Sequence, residues 1–121
     1  MASSSVSVAG VTLTLVDNAG ACWLEEGTPN ASRRPLDLPA GCTFHRDKTG
    51  AVRTLEAHGK TFALVEHSAP SPASPGDCVT RLRGLQVTGG TVRIAPAAAR
   101  VAACPPFAWD DVMFLGPFEG L

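Results

Sequence analysis

The sequence predicts an all-β fold: a small antiparallel sandwich or partly closed barrel of about seven or eight short strands, with at most one short helix. Two observations carry this prediction. Short segments with alternating apolar residues recur along the chain, and brief glycine-containing connections separate them, as in β-hairpins. With 121 residues, the chain fits one domain over 1–121, in which the serine-rich residues 1–5 are predicted to be a disordered N terminus.

The N-terminal third predicts strands followed by a loop. From Val6 to Val16 the apolar alternation changes phase at Ala9-Gly10, which indicates a tight turn or a bulge. A short apolar stretch follows at 21–25. Residues 27–41 then contain three prolines and few apolar side chains, so we expect a long loop there.

The middle of the chain predicts a three-stranded meander. Its connections contain Gly50 and Gly59, and glycine supplies the positive φ that tight hairpin turns require. The three strand segments are 42–46, 51–56 and 61–67. Residues 68–77 contain three prolines, which cannot donate to a strand ladder, and predict an exposed loop.

The remaining elements are shorter. Segments 78–87 and 91–95 flank Thr88-Gly89-Gly90 and predict another hairpin. Residues 96–103 are the predicted helix, because proline occupies the first position and alanine dominates the body. Residues 112–115 are predicted to form a final strand.

Four cysteines in a short chain predict two disulfides. Of the three possible connectivities, the sequential one is preferred because each bond then links a local segment: Cys22 with Cys42, and Cys78 with Cys104. Structural zinc sites usually draw their ligands in close pairs, and Cys42-x2-His45 has no matching second half. Free buried thiols are the remaining alternative. No metal and no cofactor are predicted.

The cysteines also indicate the compartment. Met1 is followed by alanine and three serines, without the apolar stretch of a signal peptide. This start fits either a cytosolic protein or the mature part of an exported one, and the predicted disulfides favour export to the periplasm or the extracellular space. No apolar run approaches the length of a membrane-spanning helix, so no membrane span is predicted.

Charge and motifs exclude several classes of function. A net charge of −1 lacks the basic surface that nucleic acid requires. The chain contains no nucleophile elbow, P-loop, dinucleotide fingerprint or HExxH motif, and we expect no enzyme. A metal or acid–base cluster of His45, His58 and His67 is disfavoured, because a turn and a strand end are ordinary places for solvated histidines. Adjacent Asp110 and Asp111 point opposite ways in an extended chain, so a turn is predicted there.

Two surfaces are predicted to bind a partner. Arg33 and Arg34 lie in the first proline-rich segment, which ends in a cysteine and is expected to be exposed and stiff. Arg81 and Arg83 share one face of a strand, and Arg93 is expected beside them on the neighbouring strand. Guanidinium groups bind carboxylates bidentately, so an acidic partner is expected.

These observations lead to one functional hypothesis and its alternatives. We expect an exported, disulfide-stabilised binding protein that inhibits or neutralises a partner protein such as an enzyme or toxin. The alternatives are a structural or carrier module of the cell envelope and a small-ligand-binding β-barrel. Trp23 and Trp109 suit a sugar-binding surface, but tryptophans in a domain of this size are expected in the core.

Overall fold

The computed structural model of this protein describes residues 3–27, 33–73, 75–96, 98–102 and 104. This part of the chain is all-β and contains no helix. Its strands form two antiparallel sheets, of four and six strands, which do not close into a barrel. The predicted fold class is therefore confirmed, and the arrangement is consistent with a small β-sandwich.

The four-stranded sheet follows the order of the chain, with each strand beside the next. Two-residue turns join the first three strands, at Ala9-Gly10 and Ala19-Gly20. The strands are β1 (Ser3–Val8), β2 (Val11–Asn18), β3 (Ala21–Glu26) and β4 (Arg33–Pro39).

Both residues of each of these turns have positive φ, for example 48° at Ala9 and 80° at Gly10. This pair of angles belongs to the turns whose twist matches that of the flanking strands. The phase change in the sequence therefore marks a tight hairpin turn between two strands.

The four-stranded sheet corrects two predictions. Ser3 to Ser5 belong to β1 rather than to a disordered N terminus, because they pair with β2 and the Ser5 hydroxyl hydrogen-bonds Thr14 Oγ1 at 2.8 Å. The predicted loop at 27–41 contains β4, whose Leu36 and Leu38 are buried. Proline is tolerated in β4 because this strand lies at the sheet edge.

Two long strands form the centre of the six-stranded sheet and pair over ten positions. The shorter strands line their outer sides, two along each side. The strands are β5 (Thr43–Phe44), β6 (Thr54–Ala57), β7 (Lys60–Pro70), β8 (Cys78–Thr88), β9 (Thr91–Ile94) and β10 (Ala99–Val101). Both β5 and β6 pair with β7, and both β9 and β10 pair with β8.

Three predictions for this sheet were wrong in detail. The expected meander is incomplete, because β5 and β6 both pair with β7 and approach each other only at the Arg46–Val52 bridge. β7 continues to Pro70, into the predicted loop. The predicted helix at 96–103 contains β10 instead, since two turns of helix are marginal alone and pairing with β8 satisfies the backbone. The predicted final strand lies outside the described residues.

The main core lies between the two sheets. Residues from the four-stranded sheet, such as Leu13 and Leu24, meet Val65, Leu85 and Val87 from the six-stranded sheet. Because side chains alternate along a strand, the other face of β7 and β8 carries a second cluster. It contains Phe62, Leu64, Leu82, Leu55, Ala57, Ala99 and Val101.

Both predicted disulfides are present with the predicted connectivity. Cys22 and Cys42, with Cα atoms 6.1 Å apart, belong to the main core. Cys78 and Cys104, with Cα atoms 4.9 Å apart, join the start of β8 to the chain beyond β10, and Cys104 is exposed. One disulfide therefore lies inside the sandwich and the other at its surface.

Candidate functional site

Arg33 and Arg34 lie on β4, and both contact acids of β3. The Arg33 side chain is 43% exposed, and its Nε donates to Glu25 Oε2 at 2.8 Å. Arg34 forms an ion pair with Glu26 and also donates to the Val92 carbonyl oxygen at 2.7 Å. Burial lowers the pKa of Arg34 from its usual value. Because Arg34 belongs to β4 and Val92 to β9, this hydrogen bond links the four-stranded sheet to the six-stranded sheet.

Arg83 also makes contacts within the protein. Its Nε donates to the Ala95 carbonyl oxygen at 2.8 Å, and its Nη1 lies 3.7 Å from Asp37 Oδ2. Only 12% of the Arg83 side chain is exposed, whereas the Asp37 side chain is 90% exposed. Arg83 therefore lies at the rim of the sandwich and links β8 to the edge of the four-stranded sheet.

Arg81 has different surroundings. It stands directly opposite His67 of β7 on one side and Arg100 of β10 on the other. We call these three residues the cationic row, after its two arginines. Arg81 and Arg100 are exposed, and His67 is half-buried. In the part of the chain that the structure describes, neither guanidinium of the row has an acidic partner.

The register of β8 and β9 separates Arg93 from this row. Arg93 stands opposite Gln86, because Gly89 and Gly90 form a two-residue turn between Thr88 and Thr91. Gln86 and Arg81 are an odd number of residues apart, so their side chains lie on opposite faces of the sheet. The expectation that Arg93 lies beside Arg81 and Arg83 was therefore wrong.

The cationic row is exposed because β7 and β8 extend past the main core. Their contributions to that core are Val65, Leu85 and Val87, which all lie in the half of the strand pair away from the row. The row lies in the other half, three residues from the Pro70–Cys78 pair that closes the loop between β7 and β8. The Cys78–Cys104 disulfide anchors this end of the sheet.

The row places like charges close together. Side chains directly opposite in an antiparallel pair have Cβ atoms about 4.5–5.5 Å apart, and like charges there are destabilising. Arg81 and Arg100 occupy such positions. An anionic group bound between them would relieve this repulsion, and two exposed guanidinium groups supply the donors for a carboxylate.

Sequence reasoning identified Arg81 but missed its neighbours in the row. The predicted loop at 68–77 makes His67 a solvated strand end, whereas β7 continues to Pro70, and pairing back from Pro70 and Cys78 places His67 opposite Arg81. Arg100 lies in the segment 96–103, and the helix predicted there gives no reason to expect that Arg100 pairs with β8. Its sequence position, between two short apolar side chains, is compatible with a strand as well.

The histidines do not come together. His45 is buried, with Nδ1 3.0 Å from Glu66 Oε2, whereas His58 is exposed in a turn with a φ of 54°. Among the described residues, the one group spaced to hold a metal ion is Asp17, Cys22 and Cys42. The two sulfur atoms of this group are joined in the buried disulfide, which removes them as thiolate ligands.

Trp23 is not a core residue of the sandwich, contrary to expectation. Its neighbour Leu24 points into the main core, so Trp23 faces outward, opposite Val16 on β2 and Pro35 on β4. Its indole Nε1 is buried and has no hydrogen-bond partner in the described structure. Trp109, Asp110 and Asp111 lie outside the described residues.

Comparisons with known proteins give no family assignment. A scan against protein-family models, a search of curated proteins and a search of solved structures found no match to this chain. The described part of the chain has no helix of the length and apolar character required to cross a membrane.

Proposed function

We propose that this chain is an exported binding protein that docks an acidic surface of a partner protein on the cationic row, and thereby inhibits or neutralises that partner, such as an enzyme or toxin. The observation that carries the proposal is the alignment of His67, Arg81 and Arg100 across three neighbouring strands. Both arginines of this row are exposed and lack an acidic partner among the described residues.

The setting of the row suits recognition. Its side chains project from paired strands rather than from a loop, so docking immobilises little additional backbone, and less entropy is lost. Clustered positive charge also accelerates encounter with an acidic surface. The other predicted binding arginines fit this role less well, since Arg34 and Arg83 already donate to backbone carbonyl oxygens within the protein.

The two disulfides support the export part of the proposal. Disulfides persist in oxidising compartments such as the periplasm and the extracellular space, and thiols stay reduced in the cytosol. The described residues contain no free cysteine. A small-ligand-binding barrel is less well supported than a binding protein of this kind, because the two sheets do not close into a barrel.

A matched pair of variants tests the proposal. The immobilised protein is used to capture partners from an envelope extract of its native source, without reductant. We expect one acidic protein to be captured, to elute as salt is raised, and to be lost when Arg81 and Arg100 are both changed to glutamate. The control is Arg93→Glu together with Arg46→Glu, which makes the same change in charge at exposed positions outside the row.

The capture experiment tests the role of the row. If the Arg81 and Arg100 changes leave capture intact, or if both variants lose capture equally, the row is not the docking surface. The captured protein is then assayed with and without this chain. Loss of its activity supports inhibition, whereas unchanged activity favours the alternative of a structural or carrier module of the envelope.

A further inference from the structure

The edges of the two sheets are protected against further strand pairing to very different degrees. β4 has prolines at positions 35 and 39, and Asp37 has a φ of 57°, which interrupts a regular ladder. β10 has only three residues, and one of them is Arg100. Proline, irregular backbone, charge and short length are the features that prevent unwanted pairing at a sheet edge.

β1 has none of these features. The strand Ser3–Val8 contains only serine and valine, and it pairs with β2 at every position without a bulge. On its other side it has no strand partner within the described residues. β1 is therefore an uncharged, regular edge that no strand covers in the part of the chain that the structure describes.

The hairpin register shows which backbone groups this edge offers. Val8 and Val11 close a two-residue turn, and the closing pair of such a hairpin is hydrogen-bonded. Hydrogen-bonded and non-hydrogen-bonded pairs alternate along an antiparallel ladder. Val8, Val6 and Ser4 therefore bond to β2. The N–H and C=O groups of the remaining residues point away from it, and these residues are Ser3, Ser5 and Ser7.

We propose that a second copy of this chain pairs with this edge, so that two β1 strands run antiparallel across a two-fold axis. Ser5 then stands opposite Ser5 of the second copy, and Ser3 stands opposite Ser7 of the second copy. This register uses all the outward-pointing backbone groups of both strands. It also keeps the core-facing sides of the two four-stranded sheets on the same side, which makes them one continuous sheet.

Self-complementarity favours a second copy over a different protein. Across a two-fold axis β1 faces an identical strand, in which Ser5 meets its own copy, and β1 has no charge that would repel that strand. Its outward-facing serines offer little to select another sequence. Val6, which is half-buried and packs against the main core, gains cover from the neighbouring strand. A single pair of short strands buries little area compared with the about 1,200–2,000 Å² of stable interfaces, so the dimer is reversible.

Charge changes at the axis test this arrangement. Sedimentation equilibrium over a range of micromolar to millimolar protein should show a monomer–dimer equilibrium for the unaltered chain. Ser5→Lys and Ser5→Glu each place like charges opposite each other, and each should weaken dimerisation about two- to fivefold. Mixing the two variants should restore it as a heterodimer. Thr12→Lys and Thr12→Glu are the controls, since Thr12 is exposed on β2, one strand further from the axis.

The outcomes separate this arrangement from others. A monomer at every concentration overturns the proposal and leaves the β1 edge to another protein or to another part of this chain. A dimer that the Ser5 variants leave intact, or that their mixture fails to restore, shows a different interface and also overturns it. Circular dichroism of each variant confirms that the fold is retained, so a lost dimer is not an unfolded chain.

Discussion

The same two strands, β7 and β8, have different surroundings at the two ends of the six-stranded sheet. At the packed end, Leu85 and Val87 lie beneath the four-stranded sheet and are almost completely buried. At the open end, Arg81 lies beside Arg100 and is exposed. The packed end stabilises the fold, and the exposed arginines at the open end can be changed without loss of the main core.

The largest expected effect comes from opening a cavity at the packed end. Leu85→Ala should lower the free energy of unfolding by about 2–5 kcal/mol, because Leu85 is fully buried between the sheets. Arg81→Ala on the same strand should change it by less than about 0.5 kcal/mol. Urea unfolding followed by circular dichroism measures both. Equal losses for the two variants would contradict the difference between the ends.

The disulfides provide the second comparison. Their loops span 20 and 26 residues, so on the chain-entropy model each stabilises the protein by about 3 kcal/mol. Access to reductant differs, since Cys104 is exposed and Cys22 is completely buried. We expect Cys78–Cys104 to be reduced first. Alkylation and peptide mass mapping across a reductant titration would show the order, and simultaneous reduction would count against it.

A smaller effect should separate two arginines. Arg34→Gln removes the ion pair to Glu26 and the hydrogen bond to Val92 that ties the sheets together, and should cost about 1–2 kcal/mol. Arg81→Gln removes only a cation that faces another cation, and should be neutral or slightly stabilising. Thermal unfolding of the two variants checks this. A greater loss for Arg81 would mean that the row contributes to the fold.

Local signals predicted those parts of the fold that local interactions determine. Glycines at positions 10, 59 and 90 marked real hairpin turns, since positive φ is required there. The cysteine spacing indicated the correct pairing. Prolines were less informative. Pro35 and Pro39 exclude a central strand, but they do not exclude an edge strand such as β4.

The candidate site required information that one sequence does not contain. Whether residues 96–103 pair with β8 depends on a partner strand more than ten residues away, and alanine content alone favoured a helix. That error concealed Arg100 beside Arg81. The position of Arg93, in contrast, follows from the turn that precedes it. A strict two-residue Gly89-Gly90 turn pairs Thr88 with Thr91, and counting back from there puts Arg93 opposite Gln86.

The hairpin turns also bear on how freely this sequence can vary. Ala9 and Ala19 have φ values of 48° and 53°, where asparagine or glycine is more comfortable than alanine. Asparagine or glycine in place of either alanine should therefore raise the free energy of unfolding, and both positions lie outside the main core and the cationic row. A protein that acquires asparagine at either turn has additional stability, which can offset a destabilising substitution elsewhere. Its exposed surfaces can then diverge while the sandwich fold is retained.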